Sequence, residues 1–330
     1  MIKNQWYALL ESKQVKKGKV FGVIRMGEKL VFWRTKDSKV HCMIDKCIHR
    51  GVQLSKGKII HDHLQCPFHG FEYDGSGKVR MIPAKGKNAR IQDYFKQIAY
   101  PTKELGGLIF IFWGDWPEDK SNLPPVPMFE ELLGKKFKHY TKRRHWNVHY
   151  SLVIENQLDT AHIPFVHTNT IGRGFKTLVH GPGLNECQDK GIYEIQVKPY
   201  NVKDDGKTIP LKPNEVPNDL KTYLYFRFPN IWMNRISDNV IVFIAFAPVD
   251  EENTLLYLRF YYKKRFLRSI IGRFGAWGNL VIAGQDKRVV TTIQPKKSWH
   301  RMEGQKLIQA DRPIVQYRRI RDQMMSNNGK

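Results

Sequence analysis

Residues 66–74 read Cys66-Pro67-Phe68-His69-Gly70-Phe71-Glu72-Tyr73-Asp74, and upstream residues 47–49 read Cys47-Ile48-His49. Each stretch is a short chelating loop offering one thiolate and one imidazole. Residues 50–65, between them, are enough chain for both loops to close on one compact metal centre. A zinc site draws on the same residue types, but a zinc finger usually keeps its cysteines together and its histidines together. Here each loop carries one of each. A two-iron, two-sulfur cluster can take two Cys on one iron and two His on the other, which raises its potential above that of an all-Cys cluster. The expected centre is therefore a [2Fe-2S] cluster on Cys47, His49, Cys66 and His69, with zinc as the rival. His61 and His63 fall outside the pattern, and Cys42 and Cys187 read as ordinary free thiols.

Around these loops the chain breaks into short β-type runs, Val20-Phe21-Gly22-Val23-Ile24, Leu30-Val31-Phe32-Trp33 and Leu108-Ile109-Phe110-Ile111-Phe112-Trp113, separated by Gly, Asp and Lys. This predicts a small all-β domain over residues 1–116. Pro117, Pro124, Pro125 and Pro127 mark residues 117–127 as a linker. Residues 128–330 read as a second domain of α+β class with an antiparallel sheet. Its helical spacing falls over residues 147–162 and again over residues 280–293, closed by Pro295, and its strand-like runs over residues 222–262.

Composition narrows the class. The chain has 330 residues, 41% hydrophobic and 26% charged, as in a globular protein that buries a sizeable core. The start of the chain lacks the apolar core of a signal peptide, and no long apolar run marks a membrane span, so a cytoplasmic, non-membrane protein is expected. Four cysteines are too few for a disulfide framework. Lys and Arg outnumber Asp and Glu by 55 to 31, which predicts attraction to acidic partners at moderate salt. The basic clusters Lys142-Arg143-Arg144, Lys263-Lys264-Arg265 and Arg318-Arg319 lack a nucleic-acid-binding motif, and no nucleic-acid partner is expected.

A second constellation lies in residues 155–167, Glu155-Asn156-Gln157-Leu158-Asp159-Thr160-Ala161-His162-Ile163-Pro164-Phe165-Val166-His167. On a helix Asp159 and His162 would share a face. Pro164 should bend or end that helix and let His167 swing toward His162, so that two imidazoles meet one metal. A carboxylate would complete a two-His, one-carboxylate triad, which leaves positions on Fe(II) open for dioxygen. Asp286 is the candidate, an acid inside an otherwise apolar helical pattern. The alternatives are an exposed Asp286 beside Lys287 and Arg288, and core roles for the two histidines.

Taken together, Cys-x-His with Cys-Pro-Phe-His-Gly-Phe-x-Tyr-Asp, and Asn-x-x-Asp-x-x-His-x-x-x-x-His at residues 156–167, resemble the signatures of Rieske non-haem iron oxygenases over nearly the whole chain. Within that family the chain resembles the shorter, single-component-type oxygenases, such as vanillate O-demethylase and the saxitoxin-type hydroxylases, more than the large α subunits of ring dioxygenases. The resemblance implies an N-terminal Rieske domain and a catalytic domain with a mononuclear iron on His162, His167 and Asp286. It counts Asn156 and Asp159 among the catalytic residues, Asp159 linking His162 to His69 of a neighbouring subunit in a homotrimer. It also implies an O2-dependent monooxygenase or dioxygenase supplied with electrons from NAD(P)H by a ferredoxin or flavin reductase, because the chain has no Gly-rich dinucleotide fingerprint of its own.

The alternative class is a Rieske-type electron carrier without oxygenase activity. Respiratory carriers have extra cysteines where this chain has Val52 and Phe68, and a serine where it has Phe71, which implies a cluster potential toward the low end of the Rieske range. Substrate and outcome, hydroxylation or oxidative demethylation, stay open in the sequence. The aromatics Tyr223, Tyr225, Phe226, Phe228 and Trp232 suit either a pocket for a small aromatic or cyclic molecule or ordinary core.

Overall fold

The computed structural model describes residues 1–117, 120–221, 224–263, 269–299, 302 and 304–327. Tyr223, Lys264 and Arg265, and residues 118–119 of the expected linker, lie outside the described residues. The chain divides into two compact units, residues 4–126 and residues 127–330 together with 1–3.

The first unit is all β. Val20–Arg25, Glu28–Arg34, Val40–Ile44 and Ala99–Tyr100 form one antiparallel sheet, and Gln5–Glu11, Leu108–Trp113 and Thr102–Leu105 form another. A third, of Lys58–Ile60, His63–Gln65, Glu72–Tyr73 and Val79–Met81, carries the Cys66 loop between its second and third strands. His61 and Asp62 both take positive φ, 48° and 67°, in the two-residue turn that pairs Ile60 with His63. His61 is thus a turn residue. Val31, Trp33, Met43, Leu54, Leu64 and Tyr73 pack around the two cluster-loop cysteines, so both loops are rooted in core.

The second unit is built on a seven-stranded antiparallel sheet. Leu178–Asp189, Ile192–Val202, Leu224–Arg227, Ile231–Ser237, Val240–Pro248 and Thr254–Lys263 follow one another as neighbours, and Phe137–Trp146 closes the far edge against Thr254–Lys263. The helices are α1 (Tyr150–Leu158), α2 (Ile163–Val166), α3 (Ser269–Val290) and α4 (Arg312–Asn327). Burial of Glu155 on α1 is compensated by Arg318 of α4, whose Nε and Nη2 donate to its two carboxylate oxygens at 2.8 and 2.7 Å.

Two helix boundaries differ from the expectation. The helix expected over residues 147–162 ends at Leu158, and Asp159 is its C-cap in extended conformation. Pro164 does not stop it. Instead Pro164 sits in the first turn of α2, where its missing N–H costs nothing. The helix expected over residues 280–293 begins at Ser269, and Gly272 and Gly275 in its first half, poor helix formers by propensity, are selected by packing. A Cβ on Gly272 would meet the Tyr262 ring at 2.3 Å, and one on Gly275 the Phe260 ring at 2.5 Å. Among the described residues no helix is long and apolar enough to cross a membrane.

Candidate functional site

The two cluster loops share one backbone design. Cys47 N–H donates to Val52 O at 2.8 Å and Gly51 N–H to Cys47 O at 2.9 Å; Cys66 N–H donates to Phe71 O at 2.8 Å and Gly70 N–H to Cys66 O at 3.2 Å. Both turns need a glycine, at φ 74° for Gly51 and 72° for Gly70. The loops therefore present their side chains in matched pairs. Cys47 and Cys66 are buried, whereas His49 and His69 are exposed, with their Nδ1 atoms 3.2 Å apart.

A buried thiol pair and an exposed imidazole pair offer the donor types that a two-iron cluster with its cysteines on one iron and its histidines on the other requires. Burial raises the Cys66 thiol above its ordinary range, although the backbone N–H groups of Phe68 and His69 oppose this. Tyr73 adds a feature that sequence reasoning missed. Its hydroxyl lies 3.1 Å from Cys47 Sγ while accepting from Ile48 N–H at 3.1 Å. Burial, helped by the neighbouring Cys47, pushes its phenol up, so the O–H stays protonated and donates to sulfur.

In the second unit His162, His167 and Asp286 converge. One ligating atom from each lies within 4.8 Å of the others, and no other group of three or more such side chains does so among the described residues. Asp286 Oδ1 stands 2.9 Å from His167 Nε2 and 3.4 Å from His162 Nε2. At these distances it nonetheless makes no hydrogen bond, although Asp286 is only 2% exposed. The contacts have the length of ion pairs without the geometry of hydrogen bonds, and one ligating atom from each side chain lies close enough to the others to share one ion.

Neighbouring groups set this orientation. His162 Nδ1–H donates to Asp159 Oδ2 at 3.2 Å, and His167 Nδ1–H donates to Gln285 Oε1 at 2.8 Å. Each bond places the ring proton on Nδ1 and leaves an Nε2 lone pair pointing inward. Gln157 Nε2 approaches Asp286 Oδ2 at 3.5 Å. Asp159 also accepts Ala161 N–H at 2.6 Å through Oδ1, so the link to His162 comes from the turn after α1 and not from a shared helix face. Burial lowers the His162 imidazole, but the Asp159 and Asp286 carboxylates outweigh it and lift it to about 9. Burial likewise raises Asp286, and the two imidazoles outweigh it, leaving the acid at about 2. In this charge balance a metal replaces a proton already attracted there, and the residues fit a divalent ion.

Above the triad lies a cavity of about 350 Å³. One sheet face supplies Leu224, Trp232, Asn234, Val242, Ile244 and Leu258, with Trp232 paired to Ile244 and Asn234 to Val242 in register. From α3 come Asn279, Ile282, Ala283 and Asp286, spaced i, i+3, i+4 and i+7 along one helix face. Asn156 of α1 and Ile163 of α2 also line it. Of the aromatics considered from sequence, Trp232 lines this cavity. Phe226 and Phe228 instead pack on Tyr317 of α4, and Tyr225 meets Phe129 edge-on. Gln157 and Gln285 were missed as supporting groups; each adjoins a quoted residue, but an amide in a helix carries no signal of its own.

Residues 5–99 match the Rieske [2Fe-2S] domain, and residues 146–327 match the vanillate O-demethylase oxygenase C-terminal domain. The chain is 34% identical over 175 residues to cholesterol 7-desaturase nvd of Xenopus laevis, covering 52% of this chain and 37% of that protein. It is 30% identical over 207 residues to chlorophyllide a oxygenase of Oryza sativa subsp. japonica, covering 60% of this chain and 36% of that one. The chain thus spans little more than a third of the length of these curated relatives. Among solved structures, NdmA of Pseudomonas putida CBB5 aligns with a TM-score of 0.75 at 20% identity over 98% of this chain and 94% of that one. Dicamba monooxygenase bound to dicamba aligns with a TM-score of 0.72 at 18% identity over 100% of this chain and 99% of that one. At such identities the agreement is one of fold. With a Rieske [2Fe-2S] domain and a vanillate O-demethylase-type oxygenase domain in one chain, this protein belongs to the Rieske non-haem iron oxygenases.

Proposed function

We propose that this chain is the oxygenase component of a Rieske monooxygenase that hydroxylates or oxidatively demethylates a small aromatic or cyclic molecule. The observation that carries the reading is the convergence of His162, His167 and Asp286 beneath an apolar pocket. An iron ion on those three residues would supply the activation of dioxygen, and its open positions would face the pocket. Cys47, His49, Cys66 and His69 would hold the cluster that delivers electrons. An electron carrier has no use for either the triad or the pocket.

The chain's own residues hold and orient. Asp159 and Gln285 keep the two imidazoles in the Nδ1–H form, Gln157 steadies Asp286, and Asn156 faces the pocket from α1. The sheet and α3 exclude water around the substrate. Asp159, as the resemblance implies, would also link His162 to the cluster ligand His69 of a neighbouring subunit in a homotrimer. Electrons would come from NAD(P)H through a ferredoxin or flavin reductase with an acidic surface, drawn by the excess of Lys and Arg. Carbazole 1,9a-dioxygenase, a structural neighbour, has been solved as an oxygenase and ferredoxin complex.

The test is anaerobic purification with iron and sulfide counts, followed by a substrate screen with a reductase and product mass detection. A cluster signal with additional iron lost in His162→Ala supports the reading. Full turnover by a zinc-only preparation would sink it.

A further inference from the structure

Buried polar atoms in folded proteins are mostly paired, which makes exceptions informative. Among the described residues, Asn156 Nδ2, Trp232 Nε1, Asn279 Nδ2 and Asp286 Oδ1 are buried without a hydrogen-bond partner, and all four residues line the cavity above the triad. Asp286 is accounted for by the metal, and Asn156 lines the cavity from α1, next in sequence to Gln157, which approaches Asp286. Trp232 and Asn279 have no such role. They are only 5% and 9% exposed, and each lines the cavity from a different element, the sheet and α3.

Leaving a buried donor unpaired costs about 1–3 kcal/mol, so a wall with two of them is adapted to a molecule that satisfies them. The wall carries no Lys or Arg to pair with an anion; its ionisable members are Asp159, His162, His167 and Asp286, all at the metal end. Arg173 and Lys176 line only an adjoining cavity. Asn279 precedes Asp286 by two helical turns, about 10 Å along α3, so its amide meets the end of the molecule farther from the metal. The rest of the wall is mostly apolar, with Ile163, Val242, Ile244, Leu258 and Ile282, and its other polar members Gln157, Thr160 and Asn234 leave no buried atom unpaired.

Resting on the oxygenase reading above, we infer that the substrate is an uncharged, largely apolar molecule bearing hydrogen-bond acceptors, one met by the Trp232 indole N–H and one by the Asn279 amide. The apolar wall takes up the body, and the two acceptors fix which edge faces the triad. These are substrate-positioning residues that set specificity and leave metal binding alone.

The test is equilibrium binding to the anaerobic, iron-loaded protein, read by tryptophan fluorescence and by thermal shift, so that turnover is not required. The probes are indane, 1-indanone, N-methylphthalimide and indane-2-carboxylate, similar in shape with no, one and two neutral acceptors and a charged one. Affinity should rise about fivefold with each acceptor, and the carboxylate should bind no better than indane. Trp232→Phe and Asn279→Leu should each remove about one such fivefold step for N-methylphthalimide and leave indane binding within twofold. Iron content and cluster spectrum should be unchanged in both variants. Equal affinities in the native protein, a preference for the carboxylate, absence of saturable binding, or variants that weaken all probes alike would overturn the inference. Failure of the oxygenase reading is separate: it shows as missing mononuclear iron, whichever way the probes rank.

Discussion

Gln285 Oε1 accepts the Nδ1 proton of His167 at 2.8 Å and also the Thr170 hydroxyl at 3.0 Å, so one amide next to Asp286 fixes the ring opposite it. Hydrogen bonds of this kind set the tautomer and aim of a metal-binding imidazole. In Gln285→Leu, mononuclear metal affinity should fall about 10- to 100-fold while the cluster spectrum stays native. Competition with a chelator of known affinity measures it, and unaltered affinity would show that the ring is held by packing.

Asp159 is expected to support His162 and to carry electrons between subunits without binding iron. Asp159→Asn keeps the shape but halves the accepting capacity, leaving one oxygen for either the His162 ring or Ala161 N–H, and removes the charge. Both metal centres should load nearly normally, the cluster should still reduce, and its reoxidation in a single turnover should slow sharply. Native single-turnover rates would make the bridge dispensable, and loss of mononuclear iron would make Asp159 a support of the site instead.

Tyr73 donates a hydrogen bond to Cys47 sulfur, which favours the reduced, more negative cluster. Tyr73→Phe should therefore lower the midpoint potential by about 40 mV, the equivalent of one hydrogen bond of about 1 kcal/mol for one electron. Protein-film voltammetry of the variant against the native chain measures this. No change would assign the hydroxyl to Ile48 N–H alone.

His149 gives the fold an acid sensitivity. It caps α1, accepting Ser151 N–H at 3.3 Å through Nδ1, while burial, then Lys297, the chain's N-terminus and Arg321, push its imidazole down to about 2. Glu251 stands 3.9 Å from Nε2 but is engaged by Lys297, and so does not restore the charged form. Below about pH 6.5 the unfolded chain takes up a proton that the folded chain refuses, so this contribution to stability is lost as pH falls from 6.5 toward 2. By pH 5 the loss is about 2 kcal/mol. Urea unfolding of native protein and His149→Asn at pH 7, 6 and 5 should show a shallower decline in the variant, which keeps a cap but no titrating ring. Parallel declines would refute the assignment.

Much of this site was legible in residue order, because metal chemistry restricts which side chains bind and short loops restrict their spacing. Cys47, His49, Cys66 and His69 stand within two tight turns, and His162 and His167 share one stretch with Asp159, so all candidate donors of the first site and two of the three of the second were already close in sequence. The expectation that Asp159 and His162 share a helix face failed, because the Asp159 carboxylate bonds Ala161 N–H and ends the helix earlier. Gly272 and Gly275, which hid the first half of α3, are chosen by the rings of Tyr262 and Phe260 on the strand Thr254–Lys263.

What only the tertiary structure decided is what depends on partners distant along the chain. Asp286 and an exposed acid beside Lys287 look alike in sequence, and it is the packing of α3 against the sheet that buries Asp286 next to His167. The same holds for Gln285, Asn279 and Trp232, whose residue types are common and whose roles arise from facing one cavity. Phe226 and Trp232 pair across neighbouring strands on one sheet face, yet one lies under α4 and the other lines the pocket. Strand alternation determines which face a side chain takes, and only the placement of the helices over that face determines whether it meets another ring or a substrate.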